Sequence, residues 1–242
     1  MNFEISTARQ HDALSRLYET GSYAPRSWRD LSDYSFIGVS LVERSIALLS
    51  SQLSGKLLDV GCGNKPYQSY FQHVTSYEGC DFDASRGPVD FQCPADQIPR
   101  PDNSYDSILC TEVLEHVPDP AAVWREFYRI LKPGGMVLLT TPMYWPSHEQ
   151  PYDFSRFPAH GLVYLAERGE FEVLDLIPRG GVWAHLGQVV LHMMQQYFRL
   201  SVQRRLWNRG VLALDRWRLN PAITIGWTIL ARKRTPDLSP RD

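Results

Sequence analysis

The run Glu112-Val113-Leu114-Glu115-His116 sets two carboxylates and an imidazole close together. At spacings i, i+3 and i+4 a helical turn would bring all three onto one face. Hard oxygen donors with one imidazole suit a divalent ion such as magnesium or manganese. His148, in a later loop, could be a further ligand or the base that takes a proton from a reacting hydroxyl. The candidate metal ligands are therefore Glu112, Glu115, His116 and His148, and the candidate acid–base groups are His116, His148 and Asp153. Asp153 belongs to the same loop, 144–157, which also carries Tyr144, Trp145, Tyr152, Phe154 and Phe157. Aromatic faces with polar groups between them can hold a sugar or a planar acceptor. The plainer alternative is that Tyr152, Phe154 and Phe157 pack the loop onto the next helix.

A second constellation is spread along the chain. Leu57-Leu58-Asp59-Val60-Gly61-Cys62-Gly63 reads as a buried strand entering a tight glycine turn, with Asp59 as an acceptor at the strand end. Open α/β sheets bind ligands at this edge. The dinucleotide fingerprint needs a third glycine where this chain has Pro66, which argues against a pyrophosphate ligand. One strand further on, Asp81 could accept hydrogen bonds from two ribose hydroxyls. Asp96 follows the third strand and could accept from an adenine amino group. Each acid alone could be a solvated loop residue; three acids after consecutive strands are harder to dismiss.

Several elements must position these groups. Short apolar runs bounded by Gly, Pro, Asp or Asn predict strands at 56–60, 76–80, 89–92, 105–110 and 136–141. Their alternation with helices implies a parallel sheet. Asp119 as N-cap and Pro120 as first residue open a helix with Val123, Trp124, Phe127, Ile130 and Leu131 on one stripe, ended by Lys132-Pro133-Gly134-Gly135. A helix near 158–168, a strand at 171–177, a helical insert at 183–219 and a last strand at 222–232 follow, then a polar tail at 233–242. Residues 1–53 form a helical preface that would cover part of the ligand site, and 54–180 form the ligand-binding core. The whole of 1–242 reads as one domain.

LLDVGCGNKPY, EGCDFD, ADQIPRPDNSYDSILCTEVLEHVPDP, LKPGG and MVLLTTP occur in an order and spacing that resemble the class I S-adenosylmethionine-dependent methyltransferases of the type 11 group. The resemblance covers the run from Leu57 to about Arg179. It implies a Rossmann-like seven-stranded, mostly parallel α/β sheet with helices on both faces and an antiparallel last strand. It also implies S-adenosylmethionine as cofactor, with Asp59, Gly61 and Gly63 bordering the methionine part, Asp81 the ribose, Asp96 the adenine, and Thr111 near the sulfonium. Asn64-Lys65 depart from the family pattern. The ExxEH run is similar to that of metal-dependent O-methyltransferases acting on quinone precursors and on RNA 2′-hydroxyls. In metal-free relatives Glu112 faces the cofactor and Glu115-His116 only begin a loop. The loop 144–157 resembles the HxxPYDFxRF segment of bacterial methyltransferases from surface-saccharide and glycolipid pathways.

The expected reaction is methyl transfer to a small-molecule or lipid-linked acceptor, with a saccharide hydroxyl favoured. A silent S-adenosylmethionine-binding module and an RNA 2′-O-methyltransferase are the alternatives. Lys plus Arg number 25 against 27 Asp plus Glu, a formal charge of -2, so no global field draws the chain to nucleic acid. Cys62, Cys80, Cys93 and Cys110 form no CxxC pair and read as reduced structural thiols. With no apolar leader or spanning run, the expected home is the cytoplasm. Arg199, Arg204, Arg205, Arg209, Arg216 and Arg218 give the insert a basic face that could rest on the inner membrane surface or receive a phosphorylated substrate. The bland reading is an ordinary helical pair packing on the sheet or on a second subunit of a homodimer.

Overall fold

The computed structural model describes residues 3–19, 33–197 and 201–235. Seven strands form one sheet: β1 Lys56–Val60, β2 Ser76–Asp81, β3 Phe91–Gln92, β4 Tyr105–Thr111, β5 Leu131–Pro142, β6 Phe171–Pro178 and β7 Gly226–Lys233. Their order is β3-β2-β1-β4-β5-β7-β6. The first five are parallel, and β7 runs antiparallel between β5 and β6. The Rossmann-like α/β expectation therefore holds, including the reversed last strand.

Strand side chains alternate between faces, and here both faces are apolar. Leu58, Val60, Ile108, Cys110, Val137 and Leu139 enter one core with helices α3 (Pro120–Ile130) and α4 (Ala159–Arg168). Leu57, Leu109, Leu138, Ile177 and Leu230 enter the other, under α1 (Thr7–Glu19), α2 (Phe36–Leu49) and α5 (Val182–Tyr197). The α3 start is as expected: Asp119 accepts hydrogen bonds from Ala121 N and Ala122 N at 3.0 and 3.2 Å, and Pro120 opens the helix.

Among the described residues no α-helix joins β1 to β2 or β2 to β3; each link holds only a short 3-10 turn, Gln68–Phe71 and Ala84–Arg86. On the Leu57 face of the sheet, α1 packs on β6 and α2 on β5 and β7, and Tyr67 and Phe71 from the β1–β2 link join the same apolar core. The expectation that the preface covers part of the ligand site is not met by its described helices. They carry apolar stripes that bury against the sheet, and none of their residues lines the ligand cleft. The part of the preface at 20–32 lies outside the described residues.

The insert is a helical hairpin, α5 followed by α6 (Ser201–Trp217). Arg199 lies outside the described residues. The last strand begins at Gly226 rather than 222, because Thr224 and Ile225 turn back to bond Arg179, Met143 and Tyr144. All four cysteines are buried and free. No described helix is long and apolar enough to cross a membrane.

Candidate active site

The carboxyl ends of β1, β2 and β4 open into a cleft of ≈ 310 Å³, and Gly61, Asp81, Phe82, Asp96, Glu112 and His116 are among its walls. The glycine turn is tied to β2, since Gly61 N and Cys62 N both donate to Cys80 O at 2.8 and 3.0 Å. Gly61 has φ +70°, and a Cβ there would lie 2.2 Å from Val113 Cγ2. Only glycine meets both constraints. Gly63 N donates to Asp81 Oδ2 at 2.9 Å and Asp83 N to Asp81 Oδ1 at 3.0 Å, so the backbone aims the Asp81 carboxylate. Lys65, also left-handed at φ 55°, is anchored by Asp90 at 2.6 Å, and Asp90 in turn accepts from Gly79 N. The departure at Asn64-Lys65 thus has its own clamp.

Of the cofactor residues read from sequence, Gly61, Asp81 and Asp96 line the cleft, while Gly63 acts through Asp81. Thr111 and Asp59 are not among the lining residues. Asp59 is buried behind the turn, where one oxygen accepts from Tyr77 OH and Oδ1 has no hydrogen bond. Burial raises its pKa to about 7.

Glu112 leaves the set in which spacing had placed it. Its φ is +53°, and the turn that follows is a single 3-10 turn at Leu114–His116, so Glu112 does not share a face with Glu115 and His116. It points to Thr140 Oγ1, which donates to Oε1 at 2.8 Å, and pairs with Arg179 Nη1 at 2.9 Å. Arg179 is only 2% exposed and also donates from Nη2 to Thr141 O at 2.7 Å. The expectation that Glu112 ligates a metal is corrected on this geometry: its carboxylate is held by a buried guanidinium.

Glu115, His116 and His148 do converge, with one donor atom from each lying within 4.8 Å of the others. Glu115 is fully buried and neither carboxylate oxygen has a hydrogen-bond partner. Burial first, and the Glu112 charge second, raise its pKa well above the carboxylate range. His116 Nε2 stands 3.7 Å from Glu115 Oε1. His116 Nδ1 faces Tyr152 O, and His148 Nδ1 faces Pro146 O at 3.1 Å. A carbonyl accepts only, so each Nδ1 carries a proton, and in the neutral form of either ring Nε2 keeps a free lone pair. An unpartnered buried carboxylate beside two such imidazoles fits a cation.

Asp153 does another job. Arg156 holds it in two-point contact at 2.6 and 3.1 Å, which lowers its pKa, and it accepts from His148 N at 3.1 Å. It fixes the loop bearing His148 and is not among the residues lining the cleft.

The loop 144–157 folds back over the cleft, anchored where Phe154 N and Ser155 N donate to Glu115 O at 2.9 and 3.2 Å. Arg86, from the link after β2, pairs with Glu149 at 3.0 Å. Phe82 and Tyr152 sit with ring centroids 5.9 Å apart. Together they roof the cleft. Sequence reasoning missed Phe82, Arg86 and Arg179, since no local pattern marks partners that lie far apart in the chain.

A profile described as a methyltransferase domain matches residues 34–183. The ubiquinone biosynthesis O-methyltransferase of Pseudomonas paraeruginosa is 33% identical over 150 residues, 54% of this chain and 63% of that protein, so the match spans less than two thirds of its length. Among solved structures, the [4+2]-cyclase SpnF is similar with TM-score 0.55 at 20% identity, covering 80% of this chain and 82% of that one. An S-adenosylmethionine-dependent methyltransferase of Mesorhizobium loti is similar with TM-score 0.51 at 15% identity, covering 74% and 90%. At these identities the structural likenesses establish the fold alone. The profile match runs from the start of α2 into the first turn of α5 and takes in every wall of the cleft, and the chain accordingly belongs to the methyltransferase-domain family, whose cofactor is S-adenosylmethionine.

Proposed function

We propose that this protein transfers a methyl group from S-adenosylmethionine to a hydroxyl oxygen of a small-molecule or lipid-linked acceptor, with a saccharide hydroxyl as first choice. The carrying observation is that one cleft joins a backbone-aimed Asp81 at the glycine turn to His116 under the aromatic loop. The bend at Gly61, which a Cβ would block, fits close approach of the methionine portion. Asp81 and Asp96 fit acceptors for the ribose diol and the adenine amine.

The bound cofactor supplies a methyl group on a good leaving group, so the chain must orient the acceptor and exclude water. The roof of Phe82, Tyr152, Arg86 and Glu149 serves exclusion. A hydroxyl must also lose a proton. Burial lowers the pKa of His148 and so favours its neutral form, whose Nε2 can accept that proton. Glu115, His116 and His148 would alternatively hold a divalent cation, which would supply Lewis-acid lowering of the hydroxyl pKa. The saccharide preference rests on the aromatic and polar loop 144–157, and the oxygen preference also on the similarity to the Pseudomonas O-methyltransferase.

The test combines calorimetry with S-adenosylmethionine and incubation of labelled cofactor with cell extract, with and without chelator. Asp81→Ala should weaken cofactor binding about 10- to 100-fold, as loss of charged hydrogen bonds implies. Label should appear in an O-methyl ether formed from an acceptor hydroxyl, and chelator sensitivity would select the metal over the free imidazole. Unchanged affinity in a folded Asp81→Ala would refute the ribose assignment; tight binding with no labelled product would replace the transferase by a binding module.

A further inference from the structure

Helix α6 exposes one apolar stripe and buries two polar side chains, Asn208 and Asp215, on the opposite face. Leu206, Gly210, Ala213 and Trp217 recur at i, i+4, i+7 and i+11, and Leu206 and Trp217 are each 71% exposed. The opposite stripe, Asn208, Val211 and Asp215, is buried. Its rotation is fixed by those polar anchors. Asp215 accepts from Tyr18 OH at 2.6 Å, Gly181 N at 2.8 Å and Ala184 N at 2.9 Å, and Asn208 Nδ2 donates to Asp33 O at 3.2 Å. Turning the helix to hide Leu206 and Trp217 would break all four bonds.

Arg205, Arg209 and Arg216 flank the apolar stripe, all exposed, and Arg218 stacks on Trp217 at 4.3 Å. The helix has one acid, Asp215, and it faces inward. The outward face is thus an apolar line about 16 Å long beside a row of cations. A second copy of the chain fits this poorly, because a two-fold contact would set arginines against arginines with no acid in the patch. An anionic bilayer fits it well, offering headgroup-depth apolar volume and phosphate charge together. The Trp217 end also leads into the return to β7, whose first residue pairs with Pro142 at the sheet edge that carries the cleft.

We propose that the outward face of α6 docks on an anionic lipid bilayer, with Leu206 and Trp217 entering the headgroup layer and Arg209 and Arg216 pairing with lipid phosphates. This holds whatever the acceptor of the cleft, and is tested without cofactor. Full-length protein is floated with vesicles of phosphatidylcholine alone and of phosphatidylcholine with about one third phosphatidylglycerol, at low and high salt. Binding should appear only with phosphatidylglycerol and weaken with salt. Arg209→Glu/Arg216→Glu and Leu206→Ser/Trp217→Ser should each lower the partition at least about tenfold, with unchanged thermal melts and unchanged cofactor affinity. Equal partition to both vesicle types, no partition to either, or no effect of the substitutions would overturn the proposal. So would sedimentation showing that Leu206→Ser/Trp217→Ser splits a dimer, since the face would then belong to a second copy.

Discussion

Asp59 has one oxygen bonded to Tyr77 and the other to nothing, at a site closed to water. Its pKa of about 7 in the fold lies above the ordinary aspartate value of about 3.9 that the unfolded chain would show. The folded state therefore binds the proton more tightly. Stability from this group is full below pH 4, falls as pH rises towards 7, and stays lowered above it. Asp59→Asn, which copies the protonated form, should be more stable than the parent by a few kcal/mol at pH 8, an advantage that shrinks towards zero near pH 4. Urea midpoints of both proteins across this range check the prediction; a difference independent of pH would contradict it. Glu112 teaches a different lesson. Its spacing from Glu115 and His116 is that of a helix, yet a left-handed backbone at a non-glycine residue cannot be read from residue type. Only Arg179 and Thr140, met across the sheet, explain where its carboxylate goes.

The links after β1 and β2 lack helices, so the cleft roof is built from side chains that meet across distant loops. The Arg86–Glu149 pair is half-exposed, and such pairs contribute under about 1 kcal/mol. Arg86→Ala should thus speed cofactor release only about threefold. Phe82→Ala removes an aromatic contact with Tyr152 and should speed it about tenfold. Stopped-flow displacement measures both, and a larger effect from Arg86 than from Phe82 would reverse this ranking. The strands and α3 were legible because their signals are local: apolar runs, bounding Gly and Pro, and a capping aspartate. The roof was not, because Arg86 and Glu149 lie 63 residues apart.

Across the whole molecule, Asp215 joins α1, α5 and α6 through three hydrogen bonds in a buried site. Asp215→Ala would orphan two backbone N–H groups and the Tyr18 hydroxyl, and should cost about 3 kcal/mol. Its denaturation midpoint should fall accordingly, and a loss under 1 kcal/mol would show that the hairpin is held by apolar packing alone. The sequence by itself determined the α/β class, the strands, the glycine turn and the edge at which Asp81 and Asp96 stand, since period, turn chemistry and chain order all act locally. The tertiary structure decided which carboxylates keep a free oxygen, which helices shield the sheet, and that α6 turns its tryptophan outward. Each of those outcomes depends on a partner far away in the chain, and the energy of a pair belongs to neither residue alone.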